Sequence, residues 1–244
     1  YYTNDEYIES AKKISLNQVN KFAKKLLKKG FVQGMIYGNV NIEQAQKNTE
    51  LLIETLKMKP IAWDKVAHQQ NLVFNPGEEI VKVVHSEVNN SCFSRLQYFG
   101  NNTIKDDAYA KVLGTFVESP FFLEMRTNQQ LGYIVWGGAG SSKKSSYFIF
   151  IIQSGDYSAD YLQQQADNYI DTFPDSLRIM NNEQFQTIKH SVVEKIKEKP
   201  TSIAEQAFKY YTMAFEYNGN FNRNQELIEA VNDLTKQESI NFLE

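Results

Sequence analysis

Across residues 5–29 apolar side chains recur at Ile8, Ala11, Val19, Phe22, Ala23 and Leu26, with lysines prominent between them. That spacing predicts one long amphipathic helix, stopped by Gly30. Met35-Ile36-Tyr37 reads as a short buried strand, and Asn41 stands as the N-cap of a second helix carrying Ala45, Leu51, Leu52 and Leu56. The opening region is therefore helix, strand, helix. After Pro60 the pattern turns extended, with residues 72–74 and 80–84 flanking a turn at Asn75-Pro76-Gly77, and residues 91–98 following. A domain boundary is placed near residue 68, so that 1–68 reads as the tail of a preceding α+β domain and 69–244 as a complete one.

In the second region a helix over 106–117 is expected to break at Ser119-Pro120 and restart through 121–125. A hairpin follows, its arms 131–136 and 147–153, joined through the glycine- and serine-rich stretch 137–142 and two lysines. Beyond it the apolar period is helical throughout. Tyr161, Leu162, Ala166 and Tyr169 form one stripe, and Phe185, Ile188, Val192 and Ile196 a second. Ala204, Ala207, Phe208, Tyr211 and Phe215 form a third, and Leu227, Ile228 and Val231 a fourth. Strands grouped ahead of helices indicate an α+β fold, an antiparallel-rich sheet packed against several helices, and not a doubly wound parallel sheet.

Composition narrows the function classes. With 244 residues, 42% of them apolar, and only 12 glycines and 5 prolines, the chain can bury a core and is neither collagen-like nor disordered as a whole. A formal net charge of -3 provides no global field for collecting phosphates, which makes nucleic acid a minor reading even with Lys24, Lys25, Lys28 and Lys29 clustered on one stretch. The single cysteine, Cys92, cannot close an internal disulfide. No apolar run approaches the roughly 20 residues of a membrane-spanning helix. The opening Tyr-Tyr-Thr-Asn-Asp-Glu, without an initiator methionine, reads as a cut from a longer chain.

Metal-ligating patterns are sparse. His68, His85 and His190 lie far apart and none belongs to H-E-x-x-H or H-x-x-E-H. His85-Ser86-Glu87 imitates the H-x-E of zinc deaminases without its cysteine half. Residues 137–144 fail the phosphate-loop pattern because Ser142 stands where the second glycine belongs. Asn89-Asn90-Ser91 and Asn101-Asn102-Thr103 match the common glycosylation sequon.

One segment is sharper: Ser119-Pro120-Phe121-Phe122-Leu123-Glu124-Met125-Arg126-Thr127-Asn128-Gln129-Gln130-Leu131-Gly132-Tyr133-Ile134-Val135. It puts an arginine at a helix end and a tyrosine near the start of a strand, with Gly132 between them. A phenol donates a hydrogen bond to a developing oxyanion, and a guanidinium grips a carbonyl or carboxylate at two points. Such a pair assists a reaction; it contains no nucleophile or general base. The residues alone leave a second reading open, in which Tyr133 packs with a polar rim and Arg126 caps helix carbonyls or pairs with Glu124 or Asp107.

The stretch 123–135 is very similar to a signature in the carboxy-terminal half of the insulin-degrading enzyme and pitrilysin family of zinc metallopeptidases, L-R-T-x-x-Q-L-G-Y-x-V. Met125 replaces the first leucine; Arg126, Thr127, Gln130, Leu131, Gly132, Tyr133 and Val135 match. Ile36-Tyr37-Gly38-Asn39-Val40 resembles the family's I-x-G-N strand, Phe148 to Ser154 its returning F-I-I-Q-S strand, and Lys199-Pro200 the entry to its late helical pair. The resemblance therefore extends over nearly the whole chain. It implies a peptidase of four related α+β domains whose two halves enclose a chamber, with the zinc motif H-x-x-E-H in an amino-terminal half that is the partner of this region. On that resemblance this chain binds no zinc and cleaves nothing alone. Arg126 would contact the backbone of a peptide substrate, Tyr133 would donate to the carbonyl that becomes the oxyanion, and Gly132 would keep the approach open. The other class carried forward is a catalytically dead family member serving as a structural or partner-binding subunit.

Overall fold

Short polar side chains placed one residue ahead of an apolar-periodic segment start many of the helices. In the computed structural model, which describes residues 2–68, 74–75, 77–85, 87–99, 103–142 and 145–244, Thr3, Ser15, Asn41, Thr103, Asn181 and Thr235 each accept from the backbone three residues on, and the residue there bonds back. The chain divides into two compact units, Tyr1–Gln70 with Ser202–Ala207, and Asn71–Thr201 with Phe208–Glu244.

The first unit contains helices α1 (Asn4–Lys12), α2 (Leu16–Leu26) and α3 (Ile42–Leu56), and the two-residue strands β1 (Lys29–Gly30) and β2 (Lys59–Pro60), paired in parallel. Two expectations are corrected here. The long helix over 5–29 is two, because Ser15 caps Gln18 and opens a second helix; Gly30 then lies in β1. Met35-Ile36-Tyr37 forms no strand, and Ile36 and Tyr37 are exposed. A strand needs a ladder partner to satisfy its backbone, and none of the described residues pairs with this segment.

The second unit opens with exposed residues 80–84, which form no strand. Leu72, Val73 and Pro76, with Ser86 of the H-x-E match and Asn101-Asn102 of one sequon, lie outside the described residues. Strand β3 (Ser91–Phe99), helix α4 (Ile104–Phe122), a π-helical turn (Leu123–Asn128), and strands β4 (Ile134–Ser142) and β5 (Ser145–Ser154) follow. The sheet is antiparallel in the order β3-β5-β4, with Arg95 opposite Phe150 and Gly137 on its other side. Pro120 does not break α4 as expected; the helix runs through it and widens afterwards. Nor is 137–142 a loop. Those residues are β4 itself, running antiparallel to β5. Glycines fit there because neighbouring rings fill the space of a side chain: Phe121 and Phe150 at Gly137, Trp136 at Gly138 and Tyr147 at Gly140.

Helices α5 (Ala159–Ile170), α6 (Phe173–Ile179), α7 (Asn182–Lys197), α8 (Ile203–Tyr211), a second π turn (Thr212–Glu216), α9 (Arg223–Asp233) and α10 (Lys236–Leu243) complete the chain. Along β5 alternate residues are buried, so Phe148, Phe150 and Ile152 face inward with Phe93 and Val135 from the flanking strands. They pack on Val112, Leu113, Val117 and Phe121 of α4, whose far side receives α7 and α9. The fold is α+β, a three-stranded antiparallel sheet under a layer of helices. α4 is its centre, and its carboxyl end delivers the site.

Candidate functional site

The site begins where α4 changes pitch. Gln129 N–H donates to the Glu124 carbonyl at 3.0 Å, five residues back, and Leu131 N–H to the Met125 carbonyl at 2.9 Å. The Glu124 carboxylate locks the same turn, accepting from Asn128 Nδ2 at 2.7 Å and Gln129 Nε2 at 2.9 Å. These bonds, Gln129's foremost, hold its carboxyl below the usual range. Met125 and Leu131 are buried on either side, anchoring the turn in the core while Arg126 sits half-buried at its surface.

Gln130 then takes a left-handed conformation, φ 52°, and turns the chain toward the sheet. Gly132 follows, pressed on β5: a Cβ there would fall deep inside contact distance of the Gln153 carbonyl oxygen and 2.9 Å from its carbon. No larger residue fits without displacing the strand. This close approach sets Tyr133 immediately ahead of β4.

Arg126 and Tyr133 meet. The guanidinium donates from Nη1 to the Tyr133 carbonyl at 2.7 Å. Its carbon lies 4.9 Å from the Tyr133 ring centre and 5.2 Å from that of Phe122, held between two aromatic faces. The Tyr133 side chain is left 82% exposed. The two carboxylates considered as partners for Arg126 are engaged elsewhere, Glu124 within the π turn and Asp107 with Arg223 at 3.1 Å. One of the five guanidinium donors is thus committed to a backbone carbonyl, and the neighbouring phenol faces solvent; the pair can present donors to an oxygen-rich ligand.

Sequence reasoning did not identify Glu124, Asn128, Phe122 or the Gln153 carbonyl as supports of this pair. The Glu124–Asn128 spacing of four, which places two side chains on one helical face, was the available signal. Of the histidines, His68 bonds the Trp63 carbonyl at 3.1 Å and stacks on its ring. Among the described residues no three His, Cys, Asp or Glu side chains are grouped to hold a metal, and no helix is long and apolar enough to cross a membrane. The residues at this site do not form a zinc centre.

The turn, the glycine and the two tips belong to a segment that a family profile covers: PQQ synthase PqqF-like, C-terminal lobe domain 4, matches residues 112–211. Over nearly the whole chain the human insulin-degrading enzyme is 24% identical, the match covering 99% of this chain and 24% of that protein. The chain belongs to the insulin-degrading enzyme and pitrilysin family. The crystal structure of pitrilysin superimposes with a TM-score of 0.86 at 21% identity, over 100% of this chain and 26% of that one. The inactive domain of a peptidase M16 from Pseudomonas fluorescens has a TM-score of 0.57 at 16% identity, covering 94% of this chain and 54% of its own. The insulinase fold is therefore common to chains of low identity, and this chain spans about a quarter of the length of the insulin-degrading enzyme it matches.

Proposed function

We propose that this chain is a non-catalytic carboxy-terminal region of a zinc metalloendopeptidase, supplying substrate-binding and oxyanion-assisting groups to a zinc site in the amino-terminal half of the same protein. The observation that carries this reading is the Arg126–Tyr133 pair: a guanidinium fixed on the tyrosine's own carbonyl, with the phenol open to solvent, within the family signature. Tyr133 donates its phenolic proton as a hydrogen bond to the scissile carbonyl oxygen, which gains charge as the tetrahedral centre forms. Arg126 turns its remaining N–H groups to the backbone of the peptide. Gly132 lets β5 come close enough to hold both. Zinc, bound in the other half, supplies the Lewis acid of the reaction; the two halves enclose a chamber that takes short peptides.

The segment 1–68 fits the tail of a preceding domain, since none of its described residues is buried and the apolar face of α2 stands open. In the intact enzyme, Tyr133→Phe should lower turnover about 100- to 1,000-fold, or 2.7–4 kcal/mol, with melting temperature unchanged. Unaltered turnover removes the role. The likeness to an inactive peptidase domain supports a second reading, a scaffold subunit without catalysis. An intact H-x-x-E-H motif in the amino-terminal half favours the peptidase and a degenerate one the scaffold.

A further inference from the structure

β4 is an edge. It pairs with β5 on one side, and among the described residues no strand pairs with the other. Exposed edges are ordinarily protected by charges, prolines or bulges, because they template the addition of any passing strand. β4 has none of these: Ile-Val-Trp-Gly-Gly-Ala-Gly-Ser-Ser is uncharged and contains three glycines, the residues that let another backbone come close.

A groove follows this edge. Its first stretch, about 430 Å³, is walled by Phe122, Leu123 and Glu118 of the α4 end and its π turn, and by Trp136 and Gly137 of β4. The second, about 610 Å³, continues past Gly138 and Ala139 and is ringed by Lys111, Lys195 and Lys209, with Glu118 and Glu198 opposing them. The near part is apolar; the far part carries a surplus of positive charge. The groove starts beside Arg126 and Tyr133, which stand at the entry to the strand.

From these features we infer that the β4 edge binds an extended peptide by strand addition, with an apolar or aromatic side chain in the Trp136–Leu123 notch and an acidic side chain three or four residues along, opposite the lysines. This rests on, and deepens, the peptide-binding reading above. Main-chain hydrogen bonds to the edge give affinity, and the notch and lysines give selection. Three or four strand residues cover about 10–13 Å, the separation between the two stretches along β4. A second copy is the poorer occupant, since edge-to-edge pairing would bring the same lysine-rich stretches together.

The test uses the 244-residue chain and a fluorescein-labelled octapeptide with one phenylalanine and a glutamate four residues on, followed by fluorescence anisotropy. N-methylation of amides facing the edge should weaken binding at least tenfold, while methylation of the alternate amides leaves it unchanged. Leu123→Glu, at an exposed position, and Lys209→Glu should each weaken it severalfold. Equal effects of both methylation patterns, or unchanged binding by Leu123→Glu, overturn the inference, as does sedimentation showing a dimer that the peptide cannot dissociate. Tyr133→Phe separates the two readings. It should slow peptide hydrolysis in the intact enzyme while leaving groove binding unchanged, so loss of the one effect without the other identifies which reading fails.

Discussion

At Gly132 the argument reduces to the absence of one carbon. Its neighbour is the backbone of β5, which cannot rotate away as a side chain would. Gly132→Ala should therefore destabilise the second unit by about 2–3 kcal/mol in urea unfolding. Gly155→Ala, where no atom stands within 4 Å of the new methyl, should change stability by less than about 0.5 kcal/mol. Glu238 gives a residue-scale test in pH. Hydrogen bonds from the Thr235 side chain and backbone, then Lys105, lower its carboxyl from 4.5 to about 2. A depressed carboxyl stabilises the fold above its unfolded value and loses that contribution as pH falls. The melting-temperature gap between the wild type and Glu238→Gln should be constant above pH 4.5 and close between there and about pH 2.

Among the elements, the start of α4 matters most, because this helix carries the core and ends in the site. Thr103 caps it reciprocally with Asp106. Thr103→Ala should cost about 1 kcal/mol and Thr103→Ser almost nothing, read from denaturant midpoints. Caps of this kind, and the stripes of α5, α7 and α9, were legible in the sequence because helix signals are local. Other features were not. Pro120 was read as a break, yet it lies within α4, where packing of Phe121 and Val117 in the core outweighs one lost backbone bond. The glycine run was read as a loop because its cause lies in distant rings of Phe121, Phe150 and Tyr147, which no window of sequence shows. The meeting of Arg126 with Tyr133 was anticipated from spacing and resemblance, whereas the Glu124 carboxylate that fixes the turn beneath them was not.

For the second unit as a whole, one polar link ties its early and late parts. Asp107 of α4 holds Arg223 of α9 at 3.1 Å in a buried position, with Lys111 at 3.7 Å from its other oxygen and the Tyr217 ring 3.8 Å from the guanidinium carbon. Removing one charge strands the other away from water. Asp107→Ala should cost about 3–5 kcal/mol, and a double replacement, Asp107→Leu with Arg223→Met, should recover most of it in the same unfolding assay. The first unit has no comparable interior. Amides of α1 to α3 in this chain should exchange with deuterium far faster than those of β5, whose alternate side chains are buried.

Trp136 lies across the face of Gly138 at the mouth of the groove, and the other tryptophan, Trp63, is in the first unit, packed on Phe31 and His68. The second unit thus carries a single indole chromophore, positioned where water leaves when a ligand arrives. Its emission spectrum is an intrinsic gauge of occupancy, readable in unlabelled protein after Trp63 is replaced by phenylalanine.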